Sequence, residues 1–420
     1  MGKATKLSDF ASVNPATDTN GAATDAPVAF IPMAAVTEGG GWHATEHRPL
    51  SDGRKGYTLF QRGDVIVAKI TPCFENGKVA LLSALESEFG LGSTEFHVLR
   101  AKSGHDPRFI YHWTRHPALL RAGEASMTGS AGQRRVPAGF FERFEIPRIE
   151  GPSQAAIADI LDALDDAILE AGSLFEKLWT VRVGMIDDLL THGVADDGLH
   201  RVSSALSKTV VGPRPATWKV ANLGRFVVGA EYGTNLSLGD SSMGIPVLRM
   251  NNIRDGEFDL SDLKFAPAHA VERFRVQRGD VLFNRTNSWE HVGKAAIWRH
   301  DEPGPAFASY LVRLHCGDEL LPEFLHLWLN WAPVQRAIRQ FATPGVQQVN
   351  INPTNLRRTL IAVPDTLDEQ RAIIDRVNGV SATIEDHRRE RAKLAALREG
   401  LRDELLSGRK PVAAIREAAE

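Results

Sequence analysis

The sequence predicts an α+β protein with two mixed α/β domains in a tandem pseudo-twofold repeat, separated by two long antiparallel coiled-coil helices. The first observation behind this prediction is that FQRGDVIVAKITPCFENGKVALL, starting at Phe60, recurs as VQRGDVLFNRTNSWEHVGKAAIW, starting at Val276. Matching residues such as Gly63 and Gly279 stand 216 positions apart (279 − 63) on both sides of a variable insert. The second observation is a heptad pattern of apolar residues after each copy, which is typical of a coiled coil.

The repeat extends over most of the chain, as expected for a duplicated unit. Three further pairs of matching segments are Leu7–Phe10 with Leu223–Phe226, FIYHW from Phe109 with FLHLW from Phe324, and GQRRV from Gly132 with GVQQV from Gly345. The chain is therefore predicted to be a tandem duplication of about half its length.

Residues 1–151 and 218–365 are predicted to be the two mixed domains. The runs VIVAKI, FHVLR, VLFNR, AAIW and LVRL, separated by Gly, Pro, Asn and Asp, predict short strands. FIYHWTRHPALLRAG and PEFLHLWLNWAPVQRAIRQF are predicted to be helical. The Gly-Asp of each RGDV segment is interpreted as a turn before a strand, and Trp328 and Trp331 as core residues.

Residues 152–192 and 366–408 are predicted to be the two long helices. Core positions recur four and three residues apart, from Ile157 to Leu189 and from Ile373 to Leu405. A seam of this length needs a partner, and the helix of the other repeat, packed antiparallel, supplies one. The remaining segments are a linker at 193–217 and a C-terminal tail at 409–420.

The ends of both helices carry recognisable capping signals. Ser153 is the predicted N-cap of the first helix, and Thr366 with Glu369 forms a capping-box pattern at the second. Gly193 and Gly408 follow the two ends, where a left-handed residue commonly closes a helix. Either a role in fixing register or simple exposure explains the polar seam residues, which are Arg182, His387, Arg391 and Arg398.

Composition limits the classes of function. The chain has 420 residues and a formal net charge of −3, so any nucleic acid must be bound by local basic surfaces or with help from partners. Cys73 and Cys316 do not have the spacing of a metal site. No apolar run approaches the length of a membrane span, and the first residues lack a signal-peptide core, so we expect a cytoplasmic protein without a membrane partner.

No catalytic signature is complete in the sequence. Gly77-Lys78 and Gly293-Lys294 are followed by Val and Ala, so neither is a phosphate-binding Walker motif. Asn352-Pro353-Thr354 lacks the second proline and the aromatic residue of an adenine methyltransferase motif. The chain is therefore predicted not to be an enzyme by itself, with no metal site of its own.

The pattern resembles the specificity subunit of type I restriction-modification systems, the HsdS family. The resembling features are RGDVIVAK and RGDVLFNR, the following Gly-Lys, the long helix after Ile-Pro or Val-Pro, and the endings DLLTHG and ELLSG. WKVANLGRFVVGAEYGT, from Trp218, also resembles the opening of a target-recognition domain, although the first half lacks this tryptophan.

The resemblance implies that 1–151 and 218–365 are target-recognition domains that read the two halves of an asymmetric, bipartite target in double-stranded DNA. It implies that 152–192 and 366–408 are spacer helices that dock two adenine methyltransferase subunits, which restriction/translocase subunits then join. S-adenosylmethionine, ATP and magnesium would belong to those partners, and this chain would hold no cofactor.

Reading bases requires Arg, Lys, Asn, Gln, Ser or Thr side chains that reach the edges of the bases. The candidates in the first half are Lys69, Thr71, Gln133, Arg134 and Arg135. The candidates in the second half are Arg249, Asn251, Asn252, Arg254, Arg285, Thr286, Asn287, Ser288, Gln347, Gln348 and Asn350. A polar hairpin loop is the rival interpretation for 285–288, and turn stabilisation is the rival for the asparagines at 251 and 252.

Two other functions stay open at this point. One is a scaffold that assembles a methyltransferase complex with degenerate DNA reading. The other, less favoured, is a stand-alone nuclease or methylase with unrecognised motifs.

Overall fold

The computed structural model describes residues 4–130, 132–195, 206–345 and 348–413. The chain divides into two compact units: unit 1 comprises Met1–Ser173 and Arg388–Glu420, and unit 2 comprises Leu174–His387. Each unit thus contains a mixed α/β domain and one stretch of each long helix. Among the described residues, none of the helices combines the length and the apolar character that crossing a bilayer requires.

Besides its parts of the long helices and two 3-10 helices at Met33–Ala35 and Leu50–Lys55, unit 1 contains, in the described residues, ten short strands and four short α-helices. In chain order they are β1 Ala4–Lys6, α1 Leu7–Phe10, β2 Ala11–Val13, β3 Pro27–Ile31, β4 Glu46–Pro49, β5 Thr58–Gln61, β6 Val65–Ala68, β7 Val79–Leu81, β8 Phe89–Gly92, β9 Phe96–Ala101, α2 Pro107–Thr114, α3 Pro117–Ala125, α4 Ala138–Arg143 and β10 Glu145–Pro147. Helix α5 is Gly151–His192. The main sheet has the antiparallel order β2-β9-β6-β7, and a second four-stranded sheet has the order β4-β3-β8-β5.

Unit 2 repeats this plan with more short strands. Its elements are β11 Leu206–Thr209, β12 Gly212–Pro215, β13 Lys219–Asn222, β14 Val227–Tyr232, β15 Ile245–Leu248, β16 Ile253–Arg254, β17 Glu257–Phe258, β18 Lys264–Ala266, α6 Ala268–Val271, β19 Val281–Asn284, β20 Thr286–Asn287, β21 Ala295–Ile297, β22 Ala306–Phe307, β23 Leu311–Cys316, α7 Pro322–Asn330, α8 Ala332–Arg339, β24 Thr343–Pro344, β25 Val349–Asn350, α9 Pro353–Leu356 and β26 Leu360–Val363. Helix α10 is Leu367–Leu406. The order β14-β23-β19-β21 matches that of the main sheet of unit 1.

The repeated Gly-Asp pair forms the predicted turn before an inner strand of each main sheet, β6 or β19. Gly63 and Gly279 have positive φ values of 86° and 87°, a conformation that glycine adopts without steric cost. One carboxylate oxygen of Asp64 accepts a hydrogen bond from the Gln61 N–H at 2.8 Å. The equivalent bond from Gln277 to Asp280 is also 2.8 Å, so the interpretation of both aspartates as turn residues is confirmed.

The two predicted helical segments of the mixed domains each form two helices. Pro117 and Pro333 lie in the first turns of α3 and α8, where proline fits a helix start but ends the preceding one. Trp328 and Trp331 are both buried in the core of unit 2, as predicted.

The long helices run antiparallel. In unit 1, the N-terminal part of α5 contacts the C-terminal part of α10. Asp165 there accepts hydrogen bonds from Arg398, and Leu161 shares an apolar core with Leu405. In unit 2, Arg182 donates a hydrogen bond of 2.9 Å to the hydroxyl of Ser381. The predicted α+β class, with two mixed domains and two long antiparallel helices, is confirmed.

Three of the four predicted helix ends are correct. Gly193 and Gly408 have positive φ values of 67° and 68° and follow α5 and α10. The Thr366 hydroxyl accepts a hydrogen bond from the Glu369 N–H at 3.2 Å, which caps α10. The prediction for Ser153 is wrong: α5 begins at Gly151, since a proline at the next position suits the first turn of a helix.

Candidate nucleic-acid interface

Both units contain the same junction of three chain segments beside the main sheet. In unit 1, Arg135 pairs with Ile70 on one side and with Thr128 on the other. In unit 2, Asn350 of β25 pairs with β20 on one side and with β24 on the other. Arg135 and Asn350 therefore occupy equivalent, central positions.

A fourth segment joins each junction through a backbone hydrogen bond. The Lys69 N–H donates to the carbonyl of Glu95 at 2.9 Å, and the Arg285 N–H donates to the carbonyl of Tyr310 at 3.0 Å. The same backbone frame thus presents two sets of side chains. We call Lys69, Glu95 and Arg135 the unit 1 junction, and Arg285, Tyr310 and Asn350 the unit 2 junction.

The unit 1 junction is ionic. Arg135 donates hydrogen bonds to the carboxylate of Glu95 from Nη2 at 2.7 Å and from Nε at 3.0 Å. The hydrogen bonds from Arg135 hold the pKa of Glu95 below its usual value, so the carboxylate stays charged. The neighbouring Arg134 lies 3.6 Å from Glu75 and 3.9 Å from Glu124. Both predicted arginines are therefore already close to carboxylates.

The other candidates of unit 1 lie around this junction. The Thr71 N–H donates to the carbonyl of Arg134 at 3.0 Å, and the Thr71 hydroxyl donates to Glu75 at 2.7 Å. Gln133 is exposed. Lys69, half-buried, lies on the wall of a groove of about 390 Å³. The structure therefore brings together the five candidates of unit 1, which are Lys69, Thr71, Gln133, Arg134 and Arg135.

A buried histidine supports the groove of unit 1. His97 Nε2 hydrogen-bonds the carbonyl of Val136 at 2.8 Å, and Nδ1 lies 3.0 Å from the amide nitrogen of Asn14. Since a carbonyl only accepts, Nε2 carries the proton and Nδ1 accepts. Burial lowers the pKa of His97, so its ring is a neutral structural element at neutral pH.

The unit 2 junction opens into a larger groove of about 700 Å³. Its lining residues are Arg285, Thr286, Ser309, Tyr310, Gly345, Gln348 and Asn350. Four of these are predicted contact residues. The Thr286 hydroxyl donates to the side-chain oxygen of Asn350 at 3.2 Å. The two N–H donors of the Asn350 amide take no part in this bond.

Arg285 is the basic residue of this groove. Its guanidinium carbon lies 5.2 Å from the ring centre of Tyr232, and Nη1 makes a long, 3.4 Å contact with the carbonyl of Ser309. Its buried Nε has no hydrogen-bond partner. Within the described ranges, no carboxylate pairs with Arg285, so its charge is available to a ligand.

The predicted cluster at 249–254 adjoins this groove through Met250. The Met250 carbonyl accepts hydrogen bonds from the side-chain amides of Asn284 at 3.0 Å and Asn287 at 3.4 Å. The Gln348 amide lies 3.8 Å from the Met250 sulfur. Two clusters that are far apart in sequence are thus joined in one surface.

Asn252 has a turn-stabilising role within that cluster. It is 1% exposed, and its amide nitrogen donates to the carbonyls of Asp259 and Asp262, both at 2.9 Å. Its side-chain oxygen accepts from the Arg249 N–H at 2.8 Å. These contacts agree with turn stabilisation, the rival interpretation given for this asparagine.

The remaining candidates of unit 2 differ in accessibility. Arg254 is 71% exposed by its side chain and pairs with Asp259 at 3.1 Å. Arg249, which is less exposed, pairs with Asp262 at 2.8 Å. Asn251 is exposed, Ser288 is half-buried, and Gln347 lies outside the described residues.

Sequence reasoning missed Glu95 and Tyr310, the one acidic and the one aromatic member of the two junctions. Each stands directly before an equivalent strand, β9 or β23. Aligning the two repeats through these strands would have paired them. Tyr310 is 45% exposed and lines the groove of unit 2.

Comparison with known proteins points to one family of subunits. No family model matches the chain. The chain is 25% identical to the specificity subunit of the type I restriction enzyme EcoEI from Escherichia coli, over 90% of this chain and 76% of that one. It is 43% identical to the EcoAI specificity subunit, also from Escherichia coli, over 34% of this chain and 24% of that one.

Solved structures agree on the fold. The S subunit of a type I restriction-modification system from M. genitalium matches with a TM-score of 0.57 at 13% identity, over 96% of both chains. A chain from a study of complex assembly and conformational transition of the type I R-M system matches with a TM-score of 0.58 at 16% identity, over 97% of this chain and 98% of that one.

Both curated relatives are named specificity subunits of their restriction enzymes, and the expectation that this chain is not an enzyme by itself agrees with those names. The resemblance recognised in the sequence is confirmed: the chain is similar to a type I restriction enzyme specificity subunit over 90% of its length, and it shares the fold of solved S subunits of type I systems.

Proposed function

We propose that this chain gives a type I restriction-modification complex its DNA sequence specificity. The target-recognition domains 1–151 and 218–365 would each read one half of an asymmetric, bipartite site. The observation that carries this proposal is the shared junction: one backbone frame presents Lys69, Glu95 and Arg135 in unit 1 but Arg285, Tyr310 and Asn350 in unit 2. Identical frames with different polar side chains suit two readers of different base sequences.

The side chains of the unit 2 junction have the chemistry of base reading. Arginine forms paired hydrogen bonds with guanine, and asparagine or glutamine does so with adenine. Arg285 lacks a carboxylate partner in the described residues, and Gln348 and Asn350 line the same groove. The open shape of the groove suits an edge of DNA rather than an enclosed small molecule.

We propose that the spacer helices 152–192 and 366–408 dock two adenine methyltransferase subunits, with restriction/translocase subunits joining them. Residues 193–217 would act as linker and 409–420 as tail. Apolar side chains that are half or more exposed support docking on these helices: Leu169 and Leu397 in unit 1, and Val181 and Val183 in unit 2. The S-adenosylmethionine, ATP and magnesium of the reaction would be bound by those partners.

The test is to map adenine methylation by long-read sequencing in cells that express this chain with its cognate methyltransferase. Cells with the methyltransferase alone are the control. We expect a split, asymmetric motif that appears only when this chain is present. A stable complex without any chain-dependent motif would contradict DNA reading and leave the scaffold function.

Variants assign the two half-sites. Arg285→Ala is expected to alter only one half of the motif, and Arg135→Ala only the other. If both variants altered the same half, the assignment of one half-site to each domain would be wrong.

A further inference from the structure

Glu95 is the acidic member of the unit 1 junction, and the unit 2 junction has no acidic residue. Its equivalent position holds Tyr310, and Arg135 is replaced by Asn350. The unit 2 junction keeps its backbone pairing with these neutral side chains. The Glu95–Arg135 ion pair is therefore not required by the frame.

Stability does not account for this ion pair either. The Arg135 side chain is 41% exposed and that of Glu95 is 25% exposed. Ion pairs with this much solvent contact contribute little to folding stability. An ion pair that neither the frame nor stability requires, on a proposed reading surface, calls for a functional explanation.

The hydrogen bonds of Arg135 leave a specific pair of donors unused. A guanidinium has five N–H donors in one plane. Nε and Nη2 each direct one N–H to Glu95, and Nη1 directs one to the carbonyl of Gln133 at 3.1 Å. Among the described residues, one N–H on Nη1 and one on Nη2 remain without a partner, and the end of a guanidinium presents one N–H of each of these two nitrogens. Their spacing fits the two adjacent major-groove acceptors of guanine, O6 and N7.

We propose that Glu95 is a specificity-determining positioning residue, which holds the guanidinium of Arg135 so that its two remaining N–H groups read a guanine in the half-site of unit 1. This inference rests on the proposed function. Holding the fork in advance removes the entropy cost of ordering a flexible arginine on binding. It also excludes orientations of the guanidinium that would contact other bases or only phosphate.

The experiment uses the complete methyltransferase complex with wild-type chain, Glu95→Ala, Glu95→Asp and Arg135→Lys. The methylated motif of each is mapped. Glu142→Gln, at an exposed site on α4, is the matched control and is expected to keep the wild-type motif. Glu95→Ala and Arg135→Lys are expected to relax the same guanine position, while the other half-site is unchanged. Glu95→Asp, which keeps the carboxylate, is expected to restore part of the preference.

A second measurement covers variants that lose methylation altogether. The purified complex is titrated with duplexes in which that guanine is replaced by each other base. Wild type is expected to prefer guanine by roughly 5- to 150-fold, the range of one good paired contact. Glu95→Ala is expected to bring this ratio close to one at that position alone.

Three outcomes would overturn the inference while leaving the proposed function in place. They are a unit 1 half-site without guanine on either strand, an unchanged guanine preference in Glu95→Ala, and relaxation at a position that Arg135→Lys does not affect. Absence of any chain-dependent motif with the wild-type chain would instead reject the proposed function itself.

Discussion

Arg398 of α10 donates two hydrogen bonds to Asp165 of α5, at 2.9 and 3.1 Å, on the helix seam of unit 1. The repeat places the equivalent pair 216 positions away, where Arg182 meets Ser381 in unit 2. The duplicated seam has therefore kept its arginine in both copies but not the carboxylate. Burial lowers the pKa of Arg182, because its guanidinium is partly removed from water.

The first prediction compares these two pairs. Asp165→Ala should lower the free energy of unfolding by about 1–3 kcal/mol, because Arg398 is only 8% exposed and would lose two charge-assisted hydrogen bonds. Ser381→Ala should cost less, because Arg182 loses one hydrogen bond to this hydroxyl rather than two to a carboxylate, although the hydroxyl also donates to the carbonyl of Val377. Urea denaturation measures both, and equal losses would contradict the ranking. Lys393→Ala, exposed on α10, is the control.

The second prediction concerns the two turn aspartates. Asp64 is 1% exposed and accepts two hydrogen bonds from Arg100, each of 2.8 Å. Asp64→Ala should destabilise the sheet by about 3–5 kcal/mol, as expected when one partner of a buried ion pair is removed. Asp280→Ala should cost less, because burial already raises the pKa of Asp280 and disfavours its charged form. Hydrogen exchange of β6 and β19 amides compares the two losses, and a larger loss at β19 would reverse this expectation.

Turns and helix ends could be predicted because each is a local pattern, and the repeat could be predicted because both copies are present in the one sequence. The Gly-Asp turn needs only residues three apart, and Gly193 and Gly408 close helices through bonds within one turn. The wrong prediction for Ser153 has the same origin. The preference of serine for the N-cap and the preference of the preceding proline for the first turn of a helix pointed to different starts of α5. Local rules therefore succeed until two of them conflict.

The grouping of residues into the two junctions, and the membership of Glu95 and Tyr310, could not be predicted, because the junctions are formed by segments that meet only after folding. Glu95 and Arg135 are separated by 40 positions, and no local periodicity connects them. The seam arginines show the same limit: Arg398 is buried and Arg391 is exposed, although both occupy heptad positions. Burial there depends on the neighbouring helix, which the heptad pattern does not describe.

The third prediction tests Arg285 as a base reader. Arg285→Lys keeps the charge but loses the planar fork, so we expect a drop of roughly 5- to 150-fold in affinity for the cognate duplex and a relaxed position in one half-site. Arg278→Ala, at the other end of β19, removes an exposed arginine that pairs with Asp301 and should leave the motif unchanged. Fluorescence anisotropy with cognate and substituted duplexes measures the ratio. A normal motif with Arg285→Lys would mean that Arg285 provides charge alone.

The fourth prediction separates a phosphate contact from a base contact. Arg254 is 71% exposed and is expected to lie against the DNA backbone. Arg254→Ala should weaken cognate and unrelated DNA alike, and should reduce the slope of log affinity against log salt by about 0.9. Affinities measured at several salt concentrations give this slope. A changed methylation motif in this variant would instead assign Arg254 to base reading.

The fifth prediction is a loss of stability in mild acid that depends on His326. This side chain is buried and hydrogen-bonds the carbonyl of Gly256 at 2.7 Å, and burial lowers its pKa to about 3. The unfolded chain, with a histidine pKa near 6.5, binds a proton more readily, so the stabilising effect is complete above pH 6.5 and is lost as the pH falls toward 3. Between pH 7 and pH 5 this loss of stability amounts to about 2 kcal/mol.

His326→Gln should reduce the change in the free energy of unfolding between pH 7 and pH 5 by that amount in urea denaturation, whereas His269→Gln, at an exposed site, should not. Identical pH profiles for wild type and His326→Gln would show that His326 is not the group responsible.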